Sequence, residues 1–252
     1  MNADALAAEL CLRMGDNALI LGQRVSAWCG HAPVLEEDIA LANVALDLIG
    51  QTKLWLARAA DLRGAGEDAD ALAFRRDVRA FRNCLLVERP NGDFGATLMR
   101  QYLYDAFHLP MLQALKASTD DGVASIATKA EKEAAYHLDR SRDLVVRLGD
   151  GTQESHDRMQ AALDDLWPFA GELTRADETD AALAAAGLAP ALDDMAKTYA
   201  AETAATFREA TLTAPVDAPV RAGGKGGLHS EDLGFLLAEM QFLQRAYPDA
   251  TW

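Results

Sequence analysis

Three stretches of this chain carry polar side chains at helical spacing, the first within an otherwise nearly apolar run. Residues 40–60 read ALANVALDLIGQTKLWLARAA, with Asn43, Asp47 and Gln51 four positions apart. Further on stand Asp105-x-x-His108 and Glu133-x-x-x-His137. Positions i, i+3 and i+4 share one helix face, so a carboxylate and an imidazole spaced this way can converge on one ion. A pair of metal ions in a four-helix bundle takes a Glu from each of two helices and Glu-x-x-His from each of the other two. The first helix offers only Gln23, a neutral amide. The second offers Asp47, with Gly50 where the histidine belongs, and the nearest histidine, His31, lies in the preceding turn. The third offers Asp105 and His108 at the right spacing. The fourth offers Glu133 and His137, but Ala134 stands three before His137.

That set admits two readings. Asp105, His108, Glu133 and His137 could hold one ion in an independent metalloenzyme; they cannot hold two in the usual way. Alternatively all six positions, Gln23, Asp47, Asp105, His108, Glu133 and His137, are a degenerate ligand set closed by hydrogen bonds, and the chain binds no metal. The second is the preferred reading. It requires a partner for a buried Asp47, because an isolated carboxylate in a core is costly. Gln23 or Arg24, on the first helix, is the expected partner.

Basic residues are scarce, yet Arg75, Arg76, Arg79 and Arg82 fall within eight positions. If this stretch is helical, Arg75, Arg79 and Arg82 form one positive face. Arginine forks match phosphate and carboxylate oxygens, and Phe81 and Asn83 could frame an adenine or an amide. Arg75, Arg79, Phe81, Arg82 and Asn83 are therefore candidate contacts for a phosphate-bearing ligand or an acidic partner. The plainer alternative is a solvated face paired with Glu67, Asp68 and Asp70. Glycines 223, 224, 226 and 227 around Lys225 lack the Gly-Lys-Ser/Thr ending and the preceding strand of a phosphate loop, so a segment that docks the last helix is expected there. No Gly-x-Ser-x-Gly occurs, and no cysteine stands in a setting that suggests a thiolate.

The elements that must position these residues are helices. Leu6, Leu10, Met14, Leu21, Val25 and Trp28 mark a first helix of about 25 residues, interrupted by Asn17. A second spans about 34–63, opened by Glu36, Glu37 and Asp38, which suit a helix N-terminus. A short helix over about 69–78 follows, then a turn at 88–92. A third long helix runs from about 93 to 116, with a kink or an early end expected at Pro110. A fourth spans about 120–148. Shorter helices are predicted near 153–172, 178–186, 191–211 and 230–246. Two long helix pairs followed by shorter helices make an all-α four-helix bundle, core about 4–148, with additional C-terminal helices over about 152–252 of one domain. In the second helix Leu35, Ile39, Leu46, Ile49 and Leu56 form one apolar stripe, and Leu41, Val44, Leu48 and Trp55 another. A helix apolar on two sides is covered on two sides, at the centre of a bundle or by a protein partner.

Composition narrows the function. The 252 residues carry a net charge of −15, which demotes a nucleic-acid groove. No apolar run approaches the ~20 residues of a membrane span. The start, MNADALAAEL, lacks the features of a secretory signal. Three cysteines (Cys11, Cys29, Cys84) without metal-like spacing fit reduced thiols in a cytoplasm.

With these residues in view, the chain resembles the non-catalytic C subunits of ring-1,2-phenylacetyl-CoA epoxidase, a bacterial multicomponent monooxygenase. The matching stretches run the length of the chain. They are Arg13-Met-Gly-Asp-Asn17, Gln23-Arg24 through Ala27-Trp-Cys-Gly-His-Ala-Pro33, and Asp38-Ile-Ala-Leu-Ala-Asn43 through Leu46-Asp-Leu-Ile-Gly-Gln51. Leu86-Val-Glu88 with Pro90-Asn-Gly92, Lys132-Glu-Ala134 with Tyr136-His-Leu138, and Gly223-Gly-Lys225 with Gly227-Leu-His229 complete them. The resemblance implies a ferritin-like fold and a stable complex with a related catalytic A subunit that holds the di-iron centre. It implies a cytoplasmic role in aerobic phenylacetate breakdown, with electrons from a separate reductase and one oxygen atom inserted into the ring of phenylacetyl-CoA. A chain of this kind, on the same resemblance, lacks the iron ligands and supports its partner structurally. Because CoA carries phosphates, the arginine cluster becomes a candidate contact for a CoA ester. A CoA-ester-binding module with no partner is the remaining competitor.

Overall fold

A computed structural model describes residues 2–248 and 250. The described residues form helices and 3₁₀ turns with no strand: α1 (Ala3–Ser26), α2 (Leu35–Arg63), α3 (Ala69–Phe74), α4 (Leu85–Glu88), α5 (Phe94–Leu115), α6 (Asp121–Gly149), α7 (Gln153–Thr174), α8 (Glu178–Ala185), α9 (Leu192–Glu209), α10 (Glu231–Met240) and α11 (Phe242–Ala246). The fold is an all-α, ferritin-like helical bundle.

Side-chain caps explain where the long helices start. Asn2, Asp93 and Asp120 each accept a hydrogen bond from the backbone N–H three residues on, at 2.8–2.9 Å, satisfying a donor that has no partner within the helix. Helix α5 does not stop at Pro110 but runs on to Leu115. Met111, Leu112 and Leu115 beyond it are buried, and that packing offsets the roughly 3 kcal/mol cost of an interior proline.

The register of contacts sets the directions. Gly15 faces Trp55 and Leu56 while Gly22 faces Leu48 and Ile49, so α1 and α2 are antiparallel. Ser141 bonds to Asp105 and Lys116 to Glu131, so α5 and α6 are antiparallel. Asp47 meets His137 and Gln51 meets Glu133, so α2 opposes α6. Hence α2 and α5 are parallel, and residues 64–93 make the long crossover between them, the connection of ferritin-like bundles. The α1–α2 approach is close: a Cβ on Gly15 would stand 2.8 Å from a Leu56 methyl.

The helix covered all round is α1, not α2. Every residue of α1 from 6 to 22 except Glu9 is buried, because the crossover and α8 close over the face that α2 leaves free. Its buried polar residues are each partnered. Arg13 pairs with Asp177 and Asp180 (2.8 and 2.9 Å), Asp16 with Arg76, and Asn17 accepts from the Cys84 N–H at 2.8 Å. On α2 the stripe Leu41, Val44, Leu48 and Trp55 is buried, whereas Leu35, Ile39 and Leu46 are 69, 53 and 69% exposed. Of that outer stripe only Leu56 is fully buried within the chain, and Ile49 is half-buried.

Candidate functional site: the polar cluster between α2, α5 and α6

Five of the six degenerate positions come together. His137 donates from Nε2 to Asp47 Oδ2 at 3.0 Å, and Gln51 donates to Glu133 at 3.0 Å one turn away. Deeper, Asp105 accepts from Gln101 at 2.7 Å on one oxygen and from Ser141 at 2.8 Å on the other. His108 lies deepest, its ring 4.8 Å from that of Tyr104. Gln23, half-buried on α1, takes no part in these bonds, and Asn43 is exposed.

The partner expected for Asp47 is corrected by this geometry. Arg24 turns away to the crossover, where it donates to the Glu88 carbonyl at 2.7 and 3.1 Å. Asp47 sits on the flank of α2 that meets α6, with its side chain 35% exposed rather than buried, so water carries part of its solvation and the neighbouring imidazole the rest.

Burial governs the ionisation of the inner pair. It pushes the Asp105 carboxyl up to about 6, against the pull of His137 and of the Ser141 and Gln101 hydrogen bonds. It drives the His108 imidazole down to about 3, with His137 adding in the same direction. Asp105 thus loses its proton about two pH units later than an ordinary carboxyl, and His108 is a neutral ring. These residues do not fit a metal. Both Asp105 oxygens are occupied, His137 faces Asp47 and Glu133 faces Gln51. Among the described residues no group of three or more His, Cys, Asp or Glu is arranged to hold an ion.

Residues 2–252 match the family model described as phenylacetic acid catabolic protein. The chain is 51% identical over 241 residues to the C subunit of the 1,2-phenylacetyl-CoA epoxidase of Escherichia coli (strain K12), covering 96% of this chain and 97% of that one. The chain belongs to the phenylacetic acid catabolic protein family.

The arginine cluster of this family member is not a helical face. Helix α3 ends at Phe74, and only a 3₁₀ turn, Val78–Ala80, follows. Arg76 is drawn inward, donating to Asp16 at 2.9 Å and covering the Phe81 ring at 4.3 Å. Arg82 donates to the Arg79 and Phe81 carbonyls, both at 2.9 Å, and pairs with Glu9 at 3.3 Å. Phe81 and Asn83 are fully buried and frame no surface site. Arg75 and Arg79 remain exposed, Arg75 donating to the Pro248 carbonyl at 3.3 Å. The acidic patch is used elsewhere: Glu67 pairs with Arg63, and Asp68 caps α3.

The glycine-rich segment does bind an anion, and the anion is the protein's own. The N–H groups of Gly223 (2.7 Å), Lys225 (3.4 Å) and Leu85 (2.7 Å) converge on the Glu172 carboxylate. Gly224 passes so close to the crossover that a Cβ would stand 2.1 Å from the Asn83 carbonyl. Beyond it, the buried Glu88 accepts from Asn83 (3.0 Å), His229 Nδ1 (2.9 Å) and the Ser230 N–H (2.7 Å). The segment therefore docks α10, as its composition predicts. Sequence reasoning missed Glu88, Glu172, Arg13 and Asp16 as anchors. The available signal was charged side chains inside strongly apolar runs, which require partners.

Proposed function

We propose that this chain is the structural, non-catalytic subunit of a cytoplasmic phenylacetyl-CoA epoxidase complex. It supports a related catalytic subunit that carries the di-iron centre and draws electrons from a reductase. The similarity to the C subunit of an epoxidase supports the complex, and the occupied polar cluster supports a chain without a metal of its own. The observation that carries the supporting role is the outer face of α2. Leu35, Ile39 and Leu46 lie within about 40° of one another around the helix, all exposed, on the side opposite the buried stripe. Val34 at the start of α2 and Tyr136, next to His137 on α6, add exposed apolar surface. A helical partner laid along α2 would remove these side chains from water, at roughly 1.5–3 kcal/mol for each large one buried. Arg75 and Arg79 are the cations we offer for a CoA ester or an acidic partner surface.

Ile39→Asp with Leu46→Asp is the test. Co-expression with the catalytic subunit, followed by co-purification and sizing, should show loss of the complex. The variant chain alone should keep its stability to within roughly 0.5 kcal/mol, as surface changes do. An intact complex would overturn the assignment of this face. Near-stoichiometric, tightly bound iron or manganese in the isolated chain would overturn the non-catalytic role.

A further inference from the structure

The cluster between α2, α5 and α6 is unevenly bonded. Its carboxylates are all served, yet five nitrogen and oxygen atoms spread along it meet no partner among the described residues: both ring nitrogens of His108, Nδ1 of His137, and the amide oxygens of Gln51 and Gln101. All four side chains are 0–1% exposed. The α5–α6 register set by Asp105–Ser141 and Lys116–Glu131 puts His108 across from His137. Buried polar atoms are normally bonded, and leaving one bare costs more than a bond contributes. His108 alone would carry two such atoms.

We infer that ordered water is the ligand of this interior site, bridging the His108 and His137 imidazoles and reaching the amide oxygens of Gln51 and Gln101. The donor and acceptor chemistry matches. A neutral His108 has one N–H to give and one lone pair to fill; water takes the first and supplies the second. With Nε2 facing Asp47, the His137 Nδ1 is left open to a further bond, and both amide oxygens are acceptors. The site thus asks for more donors than acceptors, which suits small molecules with two hydrogens each. Interior waters of this kind make two to four bonds to groups the protein leaves unpaired. Water here fills the level of the bundle at which a Glu-x-x-His pair would hold a metal, and this inference does not depend on which partner the chain assists.

His108→Leu in the full-length chain separates the alternatives by sign. If water completes the site, the substitution strips it of its central anchor and the thermal midpoint falls by several degrees. If the ring nitrogens are bare, leucine relieves them and the midpoint rises, which overturns the inference. Oxygen-17 relaxation dispersion should count fewer long-lived internal waters in the variant than in the wild type, and an unchanged count also overturns it. Should the variant not fold, a crystal structure of the wild-type chain decides. Ordered water within hydrogen-bond distance of a His108 nitrogen supports the site, and rings packed only against carbon refute it.

Discussion

Two polar regions are buried in this molecule, and they are built to different standards. At the crossover, Glu88, Glu172 and Asp16 each receive donors from other segments: three on Glu88, three on Glu172, and the Arg76 guanidinium with the Arg82 N–H on Asp16. Between α2, α5 and α6, bonds run mostly in pairs, and His108 has no protein partner among the described residues. The crossover region ties α1, α4, α7 and the C-terminal segment into one piece, so any loose bond there frees a long stretch of chain. The interior cluster ties together helices that their apolar faces already hold. The contrast lies in the carboxylates: those of the crossover collect several donors each from distant segments, although Asn83 Oδ1 and Arg89 Nε there also lack a protein partner, whereas the inner cluster leaves both nitrogens of one imidazole to water.

The largest effect should follow from damage to the crossover. Glu88→Ala leaves His229, the Ser230 N–H and Asn83 without their acceptor, and we expect a loss of about 3–5 kcal/mol, since each buried donor left bare costs roughly 1–3 kcal/mol. Urea unfolding measures it, and limited proteolysis should show faster cleavage ahead of α10 as the C-terminal segment comes loose. A loss under about 1 kcal/mol would mean that the apolar residues of α10, not Glu88, hold that segment.

The two regions are also unequally legible in the sequence. The long helices fall within two or three residues of their predicted ends, because Asp93 and Asp120 cap them in the local way their side chains allow. Helix α4 goes unread in the sequence, which offers only the turn at 88–92, since four residues carry no period. Residues 75–82 show steps of four and three by coincidence. Tertiary demands, Arg76 on Asp16 and Arg82 on local carbonyls, override the helical reading there. The cluster residues Asp47, Asp105, His108, Glu133 and His137 stand out by type and spacing. The partner of Asp47 does not, because His137 is ninety positions away and only the α2–α6 register brings it near. Two stripes on α2 are visible in the sequence, but which one the chain itself buries depends on α1 lying against it.

A middle-sized effect concerns Asp105 and pH. The folded protein keeps this carboxyl's proton up to about pH 6, against the ordinary value of 3.8. Its contribution to stability is full below about pH 4 and is lost as pH rises through about 6. His108 acts in the opposite sense. Its folded value near 3 lies below the ordinary 6.5, so its contribution is full above about pH 6.5 and is lost as pH falls towards 3. Asp105→Asn removes the first slope and leaves the second. An amide keeps both bonds, since the Ser141 hydroxyl can accept where it formerly donated. The stability difference should be near zero below about pH 4 and grow to roughly 3 kcal/mol in favour of the variant above pH 7. Urea titrations at a series of pH values read it directly. A difference that favours the wild type at high pH would mean that a positive charge faces Asp105, and the cluster would then resemble the crossover in its bonding.

The smallest effect should come from the outer edge of the cluster. Asp47→Asn keeps a polar acceptor for His137 at a half-exposed position where water competes for the bond. A loss of about 1 kcal/mol or less is expected, as for exposed ion pairs. Added divalent cations should leave the wild type and the variant equally stable, measured by thermal unfolding in the presence and absence of manganese or iron(II). The contrast with Glu88 is the point of the measurement: both carboxylates meet an imidazole at 2.9–3.0 Å, so distance alone ranks them equal. If burial and the number of donors set the energy, Asp47 must be several-fold weaker. If the two substitutions cost the same, the pairing itself carries the energy, and Asp47 with His137 holds α2 to α6 as firmly as Glu88 holds the C-terminal segment.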